Sequence, residues 1–469
     1  MEIPKLLPEH IVGEQLVIHP ALDWRDGVLI MGVSLAEGGR GVLNSRGELL
    51  LLDKVPFPIC DRSRNFSRSP VSENVARRVQ EGYGTPGSET AHALVDVSAR
   101  LAGYYRRFLV FPEPWWPELL ALWTLGTYLY PLFSSYPYLR ISSPEPGCGK
   151  SLLGEIISKL SFNGELMVSP TEANVFRIAE SERGTQVWDE VENQSEADRS
   201  RLQVMKSVLL NGYRAGGFVP RQERVGHEFE TVRFHVYVPR VLIGLSDLPP
   251  VVRQRTIELP LHRRSPAEEI ERYLAHERET EERDLREMCA LYALTYCGAV
   301  SRQYRRKDLA KALERHLGQA GRLPDDLLLP LVAVCAAPTE HATGKKAVMA
   351  TLQTLVLKAA PELARGWNEV ATTTSKFLAP ALEALEASDG LEPEDLANRV
   401  SGLLGVSVSA EQIAHELKRY GVRSQKKGGR RVFSVSQGQI DQLRARYGIA
   451  DPGVEPKLAA VGQIGQIGQ

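Results

Sequence analysis

The chain is 469 residues long, enough for about two to four domains with ample core. Its 57 Lys and Arg are offset by 58 Asp and Glu, so no global basic field announces a nucleic-acid binder; such binding has to come from local loops or from a ring of copies. Five cysteines (Cys60, Cys148, Cys289, Cys297, Cys335) show no CxxC spacing and no paired histidine cluster, which argues for a reducing compartment without zinc or disulfides.

Residues 1–60 alternate short apolar runs with Gly- and Asp-containing turns and predict a small β-rich module. Glu2 and Lys5 precede any apolar run, so no signal-peptide pattern is present there. Residues 61–135 predict a linker followed by helices; in 95–108 the apolar stripe leaves Arg100, Arg106 and Arg107 outward. The segment 115–133 is rich in Leu, Trp and Tyr, but it contains Glu118 and is bracketed by Pro117 and Pro131. It predicts a buried helix packed on the following core rather than a membrane span, and the chain is expected to be soluble and cytoplasmic with no membrane partner.

Residues 136–265 carry the chemistry. Tyr138-Leu-Arg-Ile-Ser-Ser-Pro-Glu-Pro-Gly-Cys-Gly-Lys-Ser151 reads as a strand, a glycine-containing loop and a helix start, the context of a phosphate-binding P-loop. Pro144 stands where the first glycine of that pattern belongs, while the tight Gly147-Cys148-Gly149 approach is kept. Pro146, Gly147, Cys148, Gly149 and Leu152 would surround the phosphates of ATP, Lys150 would reach the β- and γ-phosphates, and the Ser151 hydroxyl would ligate Mg²⁺. Residues 165–169, 171–180 and 186–189 read as strand, helix and strand, the last ending in Asp189-Glu190. Asp189 is then the second Mg²⁺-side group and Glu190 the residue that positions the attacking water; the alternative is a carboxylate pair that only complements a helix dipole.

Beyond this, residues 216–238 predict a β-hairpin inserted before the next core strand at 240–245. Val232, Phe234, Val236 and Val238 fall on one face, and Arg233, His235 and Tyr237 on the other. Arg221, Arg224 and Arg233 are candidate nucleic-acid contacts on this hairpin; the alternative is an ordinary surface hairpin, since Glu223, Glu228 and Glu230 share it. Ser246 and Asp247, after the strand, are candidates to sense the γ-phosphate. Arg255, then Arg253, are candidates for an arginine finger toward a neighbouring copy's ATP, or else simply flank the strand that follows.

Residues 266–365 predict helices with charged, solvated faces. In 366–448 a helix at 394–404 precedes Ser409-Ala-Glu-Gln412, a capping-box start for a helix ending near Gly421, and then two short strands joined by Lys426-Lys427-Gly428-Gly429. Helix, helix, basic hairpin is the order of a winged helix, and Lys426, Lys427 and Arg430 are its candidate DNA contacts, although such a wing is equally often plain solvated surface. The Gly-Gln-Ile repeats of 449–469 predict a disordered tail.

Residues 137–151, 185–190, the Leu209-Leu-Asn-Gly-Tyr-Arg-Ala-Gly-Gly217 run, 240–257 and the Leu417-Lys-Arg-Tyr-Gly-Val-Arg423 stretch together resemble an AAA+-type replicative helicase/ATPase family of phages and bacterial mobile elements, often linked to a primase. The resemblance covers roughly residues 90–448. It implies an α/β fold with a P-loop AAA+-type ATPase core, and a homo-hexameric, ATP-dependent motor on single-stranded and forked DNA, served by a separate primase or polymerase. Gln254 stands where several members of that family carry an acidic residue. A DNA-bound loader without unwinding activity and an ATP-switched origin-binding protein are the alternatives.

Overall fold

The computed structural model describes residues 17–35, 38–55, 58–63, 66–83, 94–143, 146–189, 205–225, 228–244, 248–317, 325–338, 351, 354–360, 363, 377–388, 390–427 and 429–447. The chain divides into two compact units, residues 1–316 with 324–363, and residues 317–323 with 364–469.

The first unit opens with an antiparallel meander: β1 (Leu22–Arg25), β2 (Val28–Ser34), β3 (Arg40–Asn44) and β4 (Leu49–Leu51). Asp26 and Gly27 both take positive φ (49° and 80°), the two-residue turn whose twist suits a hairpin. The Asn44 side chain accepts from the backbone of Arg46 and Glu48, each at 3.0 Å, and closes the next turn. Ile18, Val28, Ile30, Val42, Ile59 and Phe66 form the core of this sheet. Helix α1 (Glu73–Gln80) follows, capped by Ser72, then α2 (Val97–Phe108) and α3 (Trp116–Gly126). Helix α3 is buried almost all round, and its Trp123 indole donates to the Pro137 carbonyl at 2.8 Å, just ahead of the central sheet. The 115–133 segment is thus the packed helix its sequence predicts, and no helix among the described residues is long and apolar enough to cross a membrane.

The central layer is a five-stranded, wholly parallel sheet. In chain order come β5 (Tyr138–Ser142), α4 (Lys150–Leu160), β6 (Glu165–Val168), α5 (Glu172–Glu182) and β7 (Gln186–Asp189). The hairpin β8 (Phe218–Val225) and β9 (Glu228–His235) intervenes before β10 (Arg240–Ile243), α6 (Pro250–Arg253) and β11 (Thr256–Pro260). Spatially the order is β11-β5-β10-β7-β6. One face carries Val187 and Ile243 under α4, where a Cβ on Gly154 would come within 2.3 Å of Ile243 Cδ1. The other carries Tyr138, Trp188 and Leu242, packed against Val175 and Phe176 of α5 and against Val208 and Leu209 of a helical segment at 205–211. The inner strands β5, β7 and β10 are buried on both faces, while β6 at the edge is partly exposed.

Two arginines interrupt these strands: Arg140 of β5 pairs with Glu258 of β11, whereas Arg240, fully buried at the start of β10, has no carboxylate against it among the described residues. Its Nε donates to Gln186 Oε1 at 3.0 Å, Nη1 to the Tyr138 hydroxyl at 3.3 Å, and Nη2 to the Val236 carbonyl at 2.8 Å. Burial without an anion pushes its pKa down, opposed by Tyr138. Room for the guanidinium comes from Gly212, where a Cβ would lie 2.2 Å from Nη1 and 2.5 Å from the Val236 carbonyl oxygen.

Helices α7 (Ala275–Tyr304), α8 (Lys307–Leu317) and α9 (Asp325–Ala336) follow, with a short π-helical segment at Leu355–Ala359; α7 packs on β2, α2 and α4 and bonds to α9 through the Tyr292 hydroxyl and Val334 carbonyl at 2.6 Å.

The second unit packs α10 (Leu378–Glu386), α11 (Pro393–Leu404), α12 (Ala410–Arg419), the hairpin β12 (Gln425–Lys427) and β13 (Arg430–Val432), and α13 (Gln437–Tyr447) around Leu382, Leu396, Ile413, Leu417 and Phe433. The capping box at Ser409 and Gln412 is formed in both directions, at 3.0 and 3.1 Å. Leu391 pairs with Phe433 and adds a bridge to the hairpin. The described residues end at 447, so the expected tail lies outside them.

Replacing Arg240 by Met keeps most of the volume but strips the Val236 carbonyl and the Gln186 amide of their donor. Arg240→Met should destabilise the protein by roughly 2–5 kcal/mol, read as a lower denaturation midpoint.

Candidate functional site

Strand β5 runs into the loop that enters α4, and the loop's shape is set by its glycines. Gly147 and Gly149 have φ of 77° and 86°, and Gly149 is the N-cap of α4 in the left-handed region. No side chain caps this helix, and the positive end of its dipole points toward the loop, the kind of helix end that favours an anion. Pro146 and Gly147 are exposed, Cys148 is buried under the loop, and Leu152 is half-buried. Lys150 bonds to the Ser143 hydroxyl, across the loop from its own backbone, and Ser151 is exposed on the first turn.

Asp189 ends β7 at the same edge of the sheet. The parallel register sets Leu242 opposite Trp188 and Ile243 opposite Ile141, so Asp189 falls level with the last residues of β5, two strand spacings away or roughly 9.5 Å. It shares the face of Val187, the face covered by α4, and is buried. The carbonyl of Asp189 accepts from Ser169 N at 3.1 Å, which ties the end of β7 to the turn before α5. Lys150, Ser151 and Asp189 therefore lie at the same carboxyl edge of a parallel sheet, where open α/β folds take ligands. Glu190, Ser246, Asp247 and Pro144 lie outside the described residues.

Arg253 and Arg255 are placed elsewhere. They precede β11, whose Thr256 is level with Tyr138, so they sit at the opposite edge from the loop of their own chain. Arg255 donates to the Leu210 carbonyl at 2.7 Å and lies over the Tyr213 ring at 5.2 Å. Arg253 is half-buried, and its Nε has no hydrogen-bond partner among the described residues.

The hairpin forms as expected, from Phe218 opposite His235 to Val225 opposite Glu228, with residues 226–227 outside the described set. Its two faces separate sharply. Val219, Arg221, Glu223, Val232 and Phe234 turn inward on α5: Phe234 meets Phe176 at 4.6 Å, Arg221 lies over Phe176 at 5.2 Å, and Glu223 accepts from Arg177 at 2.9 Å. Phe218, Arg224, Phe229 and Arg233 turn outward and are exposed, Phe229 by 73%. The sequence reading took the arginines of this hairpin and missed its aromatics; the signal was a Phe in phase with Arg233 within an otherwise charged tip. Of the three arginines, Arg224 and Arg233 share the aromatic face and Arg221 does not. Tyr237, expected on the polar face, is buried, its hydroxyl donating toward the Tyr130 and Phe133 carbonyls, both at 3.0 Å.

In the second unit Lys426 and Arg430 are exposed on the short hairpin, and Arg430 pairs with Glu392 at 2.9 Å. The Lys427 side chain lies outside the described set.

The first unit is thus a mixed α/β fold with a parallel sheet flanked by helices, compatible with a P-loop-type core. No family model matches the chain, and no curated protein matches it. Among solved structures it is similar to the A-form apo structure of the NrS-1 C-terminal region, at 12% identity and a TM-score of 0.35, over 87% of this chain and 96% of that one. A second apo structure of that region gives 12% identity and a TM-score of 0.34 over 87% and 95%. A likeness at this level says nothing of activity.

A β-branched residue at φ of 86° is strained, and a Cβ there would press on Leu109 Cδ2 at 3.0 Å. Gly149→Val should therefore cost about 1–3 kcal/mol in denaturation experiments while leaving the secondary-structure content intact by circular dichroism.

Proposed function

We propose that this chain is an ATP hydrolase of the P-loop type that acts on DNA, a helicase or translocase serving the replication of a phage, plasmid or integrative element. The carrying observation is the uncapped N-terminus of α4, with Lys150 and Ser151 on its first turn and Asp189 facing it from β7. The donor set fits magnesium triphosphate: backbone N–H groups and one ammonium for phosphate oxygens, and a hydroxyl and a carboxylate, hard oxygens, for the metal. Bound there, Mg²⁺ would neutralise charge developing on the transferred phosphoryl group. Ser151 and Asp189 would hold the ion, Lys150 would leave Ser143 for the phosphates, and Glu190 would orient water. Closing the site with an arginine from a neighbouring copy requires a ring, for which a homo-hexamer is the proposal. Because Arg255 is tied to Leu210 and Tyr213, Arg253 is the more available of the two arginines.

The DNA part of the reading rests on the outward hairpin face, where Phe218 and Phe229 alternate with Arg224 and Arg233. Aromatic faces stack bases and guanidinium groups track phosphates, the combination suited to single strands. In the second unit, α11, α12 and the basic hairpin are read as a winged helix that adds a duplex contact through Lys426 and Arg430.

Lys150→Ala should abolish ATP hydrolysis with the fold retained. Glu190→Gln should still bind ATP but hydrolyse it at least about 100-fold more slowly in steady-state assays; near-normal turnover would remove Glu190 from its role. Phe229→Ala should weaken single-strand binding by about 1–3 kcal/mol in fluorescence anisotropy, without changing basal ATP turnover. On forked DNA the helicase reading requires ATP-dependent strand displacement. ATPase stimulation by single strands without displacement would make the chain a loader, and affinity for one element-derived duplex exceeding that for random duplex by orders of magnitude would make it an origin binder.

A further inference from the structure

At the root of the hairpin, away from the nucleotide loop, three residues distant in sequence converge. His19 lies just before β1, Glu180 in the last turns of α5, and His235 at the end of β9. One nitrogen from each ring and one carboxylate oxygen all fall within 4.8 Å of one another. The two rings meet edge to face at 5.3 Å. His19 and Glu180 are buried, while His235 is half-buried and gives the cluster an entrance.

The surroundings fix how these groups present themselves. Ser63 has a single hydroxyl proton, and its Oγ donates to the Glu180 carbonyl at 2.7 Å. The 2.9 Å contact between Ser63 Oγ and His19 Nδ1 then has the ring as donor, so Nδ1 carries the proton and the lone pair is at Nε2. This is the arrangement of a metal-ligating histidine whose other nitrogen donates to an outer partner. The Glu180 carboxylate is oriented in the same way: Cys60 donates to Oε1 at 3.2 Å, the His235 backbone N–H donates to Oε2, and Arg62 lies 3.7 Å from Oε1.

We propose that His19, Glu180 and His235 bind one divalent transition-metal ion of the zinc class. Two imidazoles and a carboxylate are a borderline ligand set that prefers zinc-like ions to magnesium or calcium, with a fourth position left for water. Bonds of about 2.0–2.1 Å in a tetrahedral site put the donors roughly 3.4 Å apart, so the trio closes by about 1.4 Å at most on binding. His235, half-exposed at a strand end, is the group with room to move. Arg62 gives up part of its hold on Glu180 and keeps its bond to the Arg233 carbonyl, at 3.0 Å. The ion staples the entry to β1, the end of α5 and the base of the hairpin to one another.

The test uses the tag-free, full-length chain and Zn²⁺ alone, followed by isothermal titration and by thermal unfolding. One equivalent should bind and raise the unfolding midpoint. His235→Gln, at a half-exposed position that tolerates the change, should weaken binding at least tenfold. Ser63→Ala, which frees the His19 ring, should weaken it by about 10–100-fold with the stoichiometry kept. Absence of stoichiometric binding overturns the proposal, as does equal affinity in His235→Gln. Replacing zinc by Co²⁺ gives the last check: ligand-field bands without thiolate-to-metal charge transfer are expected, and a thiolate band would move the ion to a cysteine. None of these readouts involves ATP, so the metal site stands or falls apart from the nucleotide reading.

Discussion

A guanidinium buried without a counter-ion among the described residues is the constraint on which the first unit depends. Taking such a group out of water costs several kcal/mol, and Arg240 recovers this only if its donors find acceptors with good geometry. Its acceptors belong to three parts of the chain: Gln186 of β7, Tyr138 of β5 and the Val236 carbonyl just beyond β9. Satisfying one side chain thus fixes two neighbours of β10 in register and pins the strand end of the hairpin to the sheet. An apolar residue would have left the hairpin's exit angle undetermined. Gly212 belongs to the same device, since the cage closes only where a neighbouring backbone has no Cβ.

The anchoring is at one edge of the sheet and the glycine loop at the other. Arg240 begins β10, whereas the glycine loop and Asp189 follow the carboxyl ends of β5 and β7. The loop edge is left open: exposed Pro146 and Gly147, an uncapped helix and a lysine resting on Ser143. Rigid packing thus lies at one edge, and an exposed loop leading into a helix without a side-chain cap lies at the other.

How much of this could be read in the sequence follows from whether the signal was local. The capping box at Ser409, the strands ending at Ser142 and Asp189, the buried helix around Trp123 and the hairpin over 218–235 each depend on a few consecutive residues, and each is where its local pattern puts it. The position of Asp189 at the end of β7 was legible because a strand, a glycine loop and a helix followed by a βαβ spacing leave few places for the next strand end. What escaped was non-local. Arg255 was chosen for its place before a strand, but its bond to Leu210 depends on a helix that no periodicity links to it. Tyr237 was placed outward by strict alternation, while the carbonyls of Tyr130 and Phe133, far upstream, draw it in. The pairing of His19 with His235 has no spacing to detect: more than 200 residues separate them, and only the docking of the N-terminal module on α5 makes them neighbours.

Helix α5 is where these features join. Its leading turn follows Ser169, which bonds to the backbone of Asp189 at the loop edge of the sheet. Its flank holds the hairpin through Phe176 against Phe234 and Arg177 against Glu223. Its last turns carry Glu180, whose carboxylate takes the backbone N–H of His235, and Glu182, which accepts from Ser67 N at 2.9 Å. One helix of 11 residues therefore touches the loop edge, the hairpin face and the N-terminal module in succession. Core packing does not deform smoothly, so a displacement at the end of β7 is carried by α5 as a body rather than absorbed within it. The hairpin then has two attachments of different kinds: Arg240 fixes its exit to the sheet, and α5, whose entry is tied to the end of β7, holds its inner face. A shift of α5 against the Arg240 anchor would tilt the outward face of Phe218, Arg224, Phe229 and Arg233 about its root, and a metal ion bound by Glu180 and His235 would set how stiff that root is.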